Sequence, residues 1–312
     1  MADDKLIVDF WNVGLGDSTI IRLPDQKLII IDTGPLGSPI ISWLSKRTEE
    51  ILAVVVTHND ADHAGSLPSL VKMPGKKIHQ VYMLIDRDKE SEKFQNVWRP
   101  AREQEKAGRL SIRTLTAETV IWANANNSLE VRYPSFSEGV EAKNPNKNSG
   151  ILSLMHKGEV LMIWPGDAPM VKVSDKCANT TPHVLMGPHH GAPIDRKNKN
   201  FRQEVEKFLP ERVFVSIGSQ PKYPDVPSPK YMMMQAKRGI RVMCSQLTSN
   251  CDNRASKPVI QTAFLLGLHD CNSGISCRGC YRVTVSGGKM TPDPWDAAHS
   301  AEIEKLKRPK CI

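Results

Sequence analysis

Short runs of apolar residues separated by polar turns fill the N-terminal part of the chain. The runs are rich in β-branched residues, which is typical of strands. They predict strands at Lys5–Phe10, Ser18–Leu23, Leu28–Ile31, Ile51–Val56 and Val81–Ile85. Helices are predicted at Pro39–Glu50 and Leu67–Val71. The strand, helix and strand between Leu28 and Val56 predict a crossover unit.

Apolar runs of strand length continue through the rest of the chain. They predict strands at Ser111–Leu115, Thr119–Trp122, Leu129–Tyr133, Gly150–Met155, Val160–Trp164, Val184–Met186, Arg212–Gly218, Arg241–Cys244 and Tyr281–Ser286. Helices are predicted at Asp86–Leu110, Ser228–Gly239 and Pro294–Leu306. The first of these is amphipathic, and its many Lys and Arg either face a nucleic-acid backbone or form a solvated surface interleaved with Glu.

Three of the predicted strands end in residues that bind metals. The strand at Ile51–Val56 leads into Thr57–His63. The strand at Val160–Trp164 leads into Gly166-Asp167, and Val184–Met186 leads into His189-His190. One such ending is readily explained by chance. Three indicate strand tips that converge at one edge of a layered sandwich.

The first of these endings packs two imidazoles and two carboxylates into one turn. His58, Asp60, Asp62 and His63 offer the nitrogen and oxygen ligands that divalent cations prefer. The alternative is a polar loop whose Asp residues cap the next helix, but a cap needs one carboxylate rather than four convergent ligands. The turn therefore predicts a metal site.

The H-x-D-x-D-H spacing of this turn resembles the H-x-H-x-D-H signature of the metallo-β-lactamase superfamily, with Asp60 in place of the middle His. Other segments resemble motifs of the branch that includes the hydrolase domain of ComEC-type competence proteins. They are the opening from Phe10 to Gly34, the Asn148-Ser149 loop, Trp164–Asp167 and Pro188–Gly191. The resemblance implies an α/β fold, the αββα four-layer sandwich, with a Cys-containing C-terminal extension. We expect a hydrolase domain over residues 1–240 and a C-terminal part over 241–312 that packs on it.

The resemblance also implies two divalent metal ions, Zn²⁺ by preference with Mn²⁺ as the alternative. His58 and Asp60 would serve one ion, and Asp62 and His63 the other. Asp167 would bridge the two, and a metal-bridging hydroxide would attack the substrate. Asp62 is therefore expected to act in catalysis as well as in metal binding.

The pair His189-His190 completes the implied site. One of the two would ligate a metal, and the other would face the substrate as a general acid. The sequence leaves open which does which, so both are expected metal ligands and catalytic residues. Asp17, Asp32 and Asn148 are expected to support the metal-binding loops from outside by hydrogen bonds.

The charge of the implied centre bears on its substrate. Three carboxylates and one hydroxide balance the charge of two divalent ions, so an anionic substrate needs further cations around the site. The candidate substrate-binding residues are Arg196, Lys197, Lys199, Lys222 and Tyr223. For any single lysine among them, a solvated surface position is the alternative. The branch carries a His shortly after this Tyr, whereas this chain has Val226.

Length, composition and charge indicate the size of the domain, its partners and its location. The chain has 312 residues, enough for one large domain with additions. Its formal net charge of +8 favours a polyanionic partner such as nucleic acid or an acidic membrane surface. No apolar run is long enough to span a bilayer, and the N-terminus lacks a signal-peptide pattern. We therefore expect a cytoplasmic protein that does not act on membranes.

Seven cysteines are then thiols or metal ligands rather than disulfides. The C-x-x-C spacing of Cys277 and Cys280 lets two thiolates reach one Zn²⁺, and Cys251 and Cys271 could complete four ligands. The spacing matches no standard zinc ribbon. A structural zinc and buried thiols therefore remain open as alternatives.

The preferred function is phosphodiester hydrolysis, with DNA as substrate. The chain would act as a nuclease, alone or with a protein partner in a multi-component system. One alternative is a small-molecule ester or lactone hydrolase of the same fold. Another is a catalytically silent, metal-stabilised interaction module, which the replacement at Val226 supports.

Overall fold

The computed structural model describes residues 4–84, 92–141, 148–178, 180–192, 208–219, 226–248 and 276–305. Two β-sheets form its centre. The strands of the first sheet are β1 (Leu6–Phe10), β2 (Ser18–Arg22), β3 (Leu28–Thr33), β4 (Ile51–Val55), β5 (Ile78–Met83), β6 (Ser111–Thr114), β14 (Tyr281–Ser286) and β15 (Lys289–Pro292). They lie in the order β15-β14-β1-β2-β3-β4-β5-β6. Pairing from β3 to β6 is parallel, so these strands end at the same edge.

The second sheet is built from the middle of the chain. Its strands are β7 (Val120–Ala123), β8 (Asn127–Tyr133), β9 (Ile151–His156), β10 (Glu159–Trp164), β11 (Val184–Met186), β12 (Arg212–Val215) and β13 (Arg241–Cys244). They lie in the order β13-β12-β11-β10-β9-β8-β7. Pairing is parallel from β10 to β13 and antiparallel elsewhere.

Helices cover the outer faces of both sheets. The described helices are α1 (Pro39–Ser45), α2 (Ala61–Ala64), α3 (Leu67–Val71), α4 (Glu92–Lys106), α5 (Phe136–Glu141), α6 (Met170–Lys176), α7 (Pro229–Lys237) and α8 (Trp295–Glu304). Apolar residues of α1 to α4 share a core with the first sheet, and those of α6 to α8 share one with the second. Among these described helices, none is long and apolar enough to cross a bilayer.

A third core lies between the sheets and joins them. Phe10 of β1 lies 6.0 Å from Trp164 of β10, and Tyr281 of β14 lies 6.1 Å from Phe214 of β12, between ring centroids. The Trp164 indole N–H also donates to the Thr19 hydroxyl across the interface at 3.0 Å. The layers are therefore helix, sheet, sheet and helix, as predicted.

Most predicted elements are confirmed, with shifted ends. The crossover unit is present, since β3 and β4 pair in parallel around α1. The helix predicted to reach Glu50 is wrong in its second half, because α1 ends at Ser45. The C-terminal part contributes β13 to the second sheet and β14 and β15 to the first. The division into domains at residue 240 stays a prediction.

Candidate metal centre

The loop after β4 is tied to the neighbouring strand β3. Asp32 of β3 accepts the Thr57 backbone N–H at 2.8 Å and the Thr57 hydroxyl at 2.7 Å. Asp32 has φ 56°, a left-handed conformation that Asp adopts more readily than most residues. These two bonds fix the start of the loop in which the first candidate ligands lie.

Helix α2 then shapes the rest of this loop. It begins with the His63 N–H bonded to the Asp60 carbonyl at 3.0 Å. The loop between β1 and β2 packs against it, because the Asp17 N–H donates to the Asp62 carbonyl at 3.2 Å. A Cβ on Gly16, which has φ 139°, would overlap that carbonyl oxygen. Only glycine therefore allows this approach.

The second sheet brings Asp167 to the same place, in the loop after β10. Gly166 precedes it with φ 50°, and a Cβ there would overlap the hydroxyl oxygens of Ser149 and Thr57. The Asp167 N–H donates to the Ser149 hydroxyl oxygen at 2.9 Å. The close approach at Gly166 thus sets an acidic group of one sheet against the loop of the other.

The turn after β11 supplies two imidazoles from a strained backbone. His189 has φ 49° and ψ 47°, and His190 has φ 53° and ψ 29°. This left-handed conformation costs about 1–2 kcal/mol per residue. The His189 N–H donates to the Gly166 carbonyl at 3.0 Å, and the Ala192 N–H to the His189 carbonyl at 2.7 Å. The surrounding contacts hold the turn in a shape that it would not adopt alone.

The Asp167 carboxylate lies between two pairs of imidazoles. Its Oδ1 is 3.2 Å from His63 Nε2 and 3.7 Å from His190 Nε2. Its Oδ2 is 3.4 Å from both His58 Nε2 and His189 Nε2. The His63 and His190 Nε2 atoms also face each other at 3.3 Å. The two histidines of one turn therefore lie beside different oxygens of one carboxylate.

The loop after β4 adds one carboxylate to each pair. Asp62 Oδ2 lies 3.3 Å from His190 Nε2, and Asp60 Oδ2 lies 3.7 Å from His58 Nε2. We call the resulting groups the buried half-site and the open half-site. The buried half-site consists of Asp62, His63, His190 and Asp167 Oδ1, and the open half-site of His58, Asp60, His189 and Asp167 Oδ2.

These separations fit metal ligands better than hydrogen-bond partners. Nitrogen and oxygen ligands of a tetrahedral cation, at about 2.0–2.2 Å from it, lie roughly 3.3–3.6 Å from one another. The buried His58 Nε2 and Asp167 Oδ1 lack a hydrogen-bond partner within the described part of the chain. Buried polar atoms of this kind call for an explanation, and a cation provides one.

Among the described residues, two groups of three residues each hold all their ligand atoms within 4.8 Å of one another, which also indicates a metal site. They are Asp17, His63 and His190, and His58, His63 and Asp167. The two groups overlap at His63, which suggests a two-ion centre rather than two separate sites. The residues present therefore fit a pair of divalent cations.

Carboxylates support the imidazoles of the buried half-site from outside. His63 Nδ1 bonds to Asp32 Oδ2 at 2.8 Å, and His190 Nδ1 lies 3.2 Å from Asp17 Oδ1. A carboxylate beside Nδ1 favours the proton on that nitrogen, which leaves Nε2 as the ligand and raises its basicity. Asp17 thus lies on the nitrogen of His190 that does not face His63.

Hydroxyl groups take this place in the open half-site. His58 Nδ1 lies 3.3 Å from the Thr57 hydroxyl and 3.3 Å from the Ser149 hydroxyl. Both hydroxyls are also committed elsewhere, Thr57 to Asp32 and Ser149 to the Asp167 N–H. The two half-sites therefore differ in the charge of their outer partners.

The ligands also perturb one another's protonation. Burial raises the pKa of Asp167, but the charge of His63 outweighs it and holds this pKa well below its usual range. Burial lowers the pKa of His63, but Asp167 outweighs it and keeps this pKa well above the ordinary value. Burial also opposes the charge of His190, yet Asp17 raises its pKa to about 10. In the metal-free protein these opposite charges hold the cluster together, and a divalent cation would replace the imidazole protons.

A profile of the metallo-β-lactamase superfamily matches residues 11–120 of this chain. This range holds the loop after β4 and the strands that support it. This part of the chain is thus similar to the metallo-β-lactamase superfamily. The two sheets between helical layers and the His/Asp cluster agree with a metal-dependent hydrolase of the metallo-β-lactamase fold.

Several named proteins are similar to this chain. ComE operon protein 3 of Bacillus subtilis (strain 168) is 24% identical over 261 residues, which cover 76% of this chain and 31% of that protein. The chain thus spans about a third of that relative's length. Hydroxyacylglutathione hydrolase of Nitrosomonas eutropha is 38% identical over 47 residues, 15% of this chain and 18% of that protein. Igni18, a metallo hydrolase from Ignicoccus hospitalis, matches in structure with TM-score 0.47 and 15% identity, covering 76% and 94% of the two chains.

The structure brings the seven predicted metal ligands together. They are His58, Asp60, Asp62, His63, Asp167, His189 and His190, and their roles in catalysis stay predictions. Asp17 and Asp32 lie in the predicted outer positions. Asn148 is buried nearby, but its neighbour Ser149 is the residue that contacts His58 and Asp167.

The predicted substrate-binding residues Arg196, Lys197, Lys199, Lys222 and Tyr223 lie outside the described residues. Their role stays a prediction. Val226 is described, and it packs in the apolar core on the outer side of the second sheet. The residue predicted to replace the branch's histidine is thus a buried apolar side chain.

The cysteine site is described only in part. Cys277 Sγ lies 3.5 Å from His299 Nε2, and Cys280 Sγ accepts the Asn12 N–H at 3.4 Å. Cys251 and Cys271 lie outside the described residues. The structural zinc therefore stays a prediction.

Sequence reasoning missed three residues that position the ligands. Thr57 and Ser149 contact His58, and the buried Trp98 of α4 donates its indole N–H to Asn59 Oδ1 at 3.0 Å. Asn59 lies between two candidate ligands, so α4 is bonded to the metal-binding loop. The polar residues directly beside the motif residues were the available signal for Thr57 and Ser149. No local sequence pattern links Trp98 to the loop that holds Asn59, because the two are distant in the chain.

Proposed function

We propose that this chain is a phosphodiesterase that hydrolyses nucleic acid, with DNA as the preferred substrate and Zn²⁺, or alternatively Mn²⁺, in both half-sites. The observation that carries the proposal is the Asp167 carboxylate shared between two half-sites. Paired divalent ions suit phosphodiester cleavage because they stabilise both the attacking and the leaving oxygen. When bound, the ions would supply Lewis acidity toward the phosphoryl group and make a water acidic near neutral pH.

The protein's own residues hold and orient this centre. Asp167 presents one oxygen to each half-site, so it keeps their imidazoles at a fixed separation. Asp32 holds the proton of His63 on Nδ1 and leaves Nε2 directed at Asp167. On the solvent side, the side chains of His189, Asp60 and Asp62 are 34%, 37% and 31% exposed. Substrate would therefore approach over these three side chains.

The net charge of the whole chain, rather than that of the metal centre, supports an anionic substrate. Asp60, Asp62 and Asp167 roughly balance two divalent ions together with one hydroxide, so the centre itself attracts an anion only weakly. The chain as a whole carries a net charge of +8, which favours a polyanion. The resemblance of the motifs to those of ComEC-type competence proteins supports DNA in particular.

The direct test is incubation of the metal-loaded protein with labelled single-stranded and double-stranded DNA and RNA. Cleavage of DNA that is lost in Asp62→Ala and kept in Asp175→Ala is expected, since Asp175 is an exposed residue of α6. Charge reversal at Arg196, Lys197 and Lys199 should weaken DNA binding in a salt-dependent manner. A metal-loaded preparation that cleaves none of the four substrates contradicts the proposal.

A second candidate is hydrolysis of a small thioester or ester. The local similarity to hydroxyacylglutathione hydrolase supports it, although this match covers only 15% of the chain. A small neutral substrate needs no surrounding cations, so the same charge reversals should leave its turnover nearly unchanged. Turnover of a chromogenic thioester without cleavage of nucleic acid would favour this candidate.

A further inference from the structure

Helix α4 carries a row of basic residues on its solvent side. Arg99, Arg102 and Lys106 are all exposed, and they lie three and four residues apart in the helix. Side chains at this spacing are neighbours on one helix face. Trp98 and Ala101 of the same helix are fully buried in the core outside the first sheet. The helix therefore packs on the sheet through these apolar residues and turns its row of cations to solvent.

The acidic residues of α4 leave this row of cations unneutralised. Within the described part of the chain, none of the three basic side chains forms an ion pair. Arg102 instead donates to the Gln95 side-chain oxygen at 3.2 Å. Glu105 is held at another place, since its Oε1 accepts the Ile112 N–H of β6 at 2.7 Å. The charge of the row is thus available to an external anion.

Helix α6 shows the alternative, in which opposite charges on a surface pair with one another. Its residues Lys172 and Lys176 lie 3.3 Å and 3.4 Å from the carboxylate of Glu138. A solvated face interleaved with opposite charges favours such pairs. On α4, Glu103 follows Arg99 by four residues, yet the two do not pair. The face of α4 therefore differs from an ordinary solvated surface laced with ion pairs.

The metal-binding loop is bonded directly to this helix. Trp98 Nε1 donates to Asn59 Oδ1 at 3.0 Å, and Asn59 directly precedes Asp60 of the open half-site. The Asp60 side chain is 37% exposed, so the loop reaches solvent at this point. A polymer that passes over the metal centre at Asp60 can therefore extend along α4.

The length of the row fits a short stretch of a phosphate backbone. Arg99 and Lys106 are seven positions apart, which corresponds to about 10 Å along a helix. One strand of duplex DNA holds about three phosphates over this distance, at roughly 3.4 Å each. Arginine guanidinium groups also match the planar, bidentate geometry of phosphate oxygens.

We propose that the solvent face of α4 binds the phosphate backbone of a nucleic-acid substrate beside the metal centre, through Arg99, Arg102 and Lys106. This assignment rests on the proposed function and adds to it the surface that holds the strand away from the point of cleavage. Contacts to phosphate carry no base preference, so the helix contributes affinity rather than sequence selectivity.

The test measures binding of labelled single-stranded and double-stranded DNA by fluorescence anisotropy at several salt concentrations. The protein is the metal-loaded Asp62→Ala variant, so that DNA stays intact. Adding Arg99→Gln, Arg102→Gln and Lys106→Gln together should lower the slope of log affinity against log salt by about 2–3, because each lost phosphate contact removes about 0.7–0.9. With affinities that meet at 1 M salt, binding at 0.1 M salt should weaken by at least about 100-fold.

A matched control removes the same charge from other surfaces. Lys46→Gln, Lys237→Gln and Lys289→Gln are combined in the same background. These lysines are exposed, form no ion pair within the described residues, and lie after α1, at the end of α7 and at the start of β15. The control should keep the salt slope of its parent. Circular dichroism checks the fold, and the single variant Arg99→Gln, with an expected decrease of about 0.7–0.9, replaces a triple variant that does not fold.

Cleavage kinetics in the protein with intact metal ligands give a second readout. The three α4 substitutions should raise the KM for DNA and leave its kcat nearly unchanged, because they remove binding distant from the reacting phosphate. Turnover of bis-nitrophenyl phosphate should stay nearly constant, since this small diester is too short to reach α4 from the metal centre.

An unchanged salt slope in the α4 variant, or an equal decrease in the lysine control, would overturn the inference. So would α4-dependent binding to vesicles of phosphatidylserine and phosphatidylcholine without binding of DNA, which would assign the face to an acidic membrane surface. The proposed function fails separately. Cleavage of DNA with an unchanged slope refutes only the role of α4, whereas α4-dependent binding without cleavage of any nucleic acid refutes only the proposed function.

Discussion

The two sheets contribute to the metal centre in different ways. The first sheet supplies His58, Asp60, Asp62 and His63 from one loop, whose ordinary backbone runs into helix α2. The second sheet supplies Asp167 and the two adjacent histidines from separate loops, with φ 50° at Gly166 and left-handed backbone at both histidines. The first contribution has a locally favourable shape, and the second has a shape imposed by its contacts.

This difference indicates a division of roles between the sheets. The first sheet offers two pairs of ligands that each serve one half-site. The second sheet offers the one carboxylate that both half-sites share, with one histidine for each. Loss of the shared carboxylate on the second sheet should therefore affect both ions, whereas loss of a single ligand on the first sheet should affect one.

The largest effect is expected from Asp167→Asn. The substitution keeps the shape of the side chain but removes the charge shared by the half-sites, so both ions should be lost or weakened. Loss of an outer partner alone lowers metal affinity or activity by up to about 100-fold. Loss of the shared ligand should therefore lower the rate of hydrolysis by more than about 100-fold. Metal content by mass spectrometry and the rate of DNA cleavage measure the two effects.

The comparison is sharpened by Asp62→Asn, which lies on the first sheet's loop and should weaken one ion only. Asp175→Asn, exposed on α6, controls for loss of charge elsewhere on the second sheet. Retention of both ions in Asp167→Asn would show that the shared carboxylate is not needed for the centre.

A smaller effect is expected from Gly166→Ala. Its Cβ would overlap the hydroxyls of Ser149 and Thr57, and overpacking of this kind costs about 1–3 kcal/mol. The positive φ of 50° adds about 1–2 kcal/mol. Urea denaturation should show a lower free energy of unfolding.

Gly158→Ala is the matched control for this substitution. Gly158 lies in the turn between β9 and β10 with φ 86°, and a Cβ there would meet nothing within 4 Å. It should therefore lose only the conformational part, about 1–2 kcal/mol. Equal losses for both variants would mean that the close approach of the two loops contributes nothing measurable to stability.

The smallest effect concerns the outer side of the second sheet, away from the metal centre. Burial, together with the nearby Arg278 and Arg241, lowers the pKa of His299 to about 3. The unfolded chain binds this proton near pH 6.5, so unfolding is favoured as pH falls from about 6.5 toward 3. Each pH unit within this window should cost roughly 1 kcal/mol of unfolding free energy.

His299→Gln should reduce the change of unfolding free energy with pH, as measured by urea denaturation between pH 7 and pH 5. Carboxylates titrate in both proteins, so their contribution drops out of the difference between the variant and the parent protein. An unchanged slope would place the imidazole of His299 in contact with water rather than in the apolar packing of α8.

The sequence predicted the parts of the site that are encoded locally. The motif at His58–His63 and its strand were recognisable because a buried β-branched run precedes four ligands within six residues. Strand β15 was missed, since Lys289–Pro292 is polar and ends in Pro. Helix α6 was also missed, because it is short and follows directly after a metal-motif loop.

The assignment of His189 and His190 to different half-sites could not be predicted. It follows from the left-handed backbone of both residues, which contacts with Gly166 and neighbouring loops enforce. The roles of Thr57 and Ser149 depend likewise on how closely the sheets approach at Gly166. Such distances arise from packing across the whole sandwich, and no local pattern carries them.

The aromatic residues between the sheets have a consequence for the cations. Phe10 and Trp164 stack across the sheet interface, and Trp164 lies three residues before Asp167 in the chain. The width of the interior at this stack therefore limits how far the acidic bridge stands from the imidazoles of the facing sheet. A change of volume deep in the apolar interior would alter metal affinity without touching any ligand, and a chelator would loosen the seam between the two halves of the sandwich.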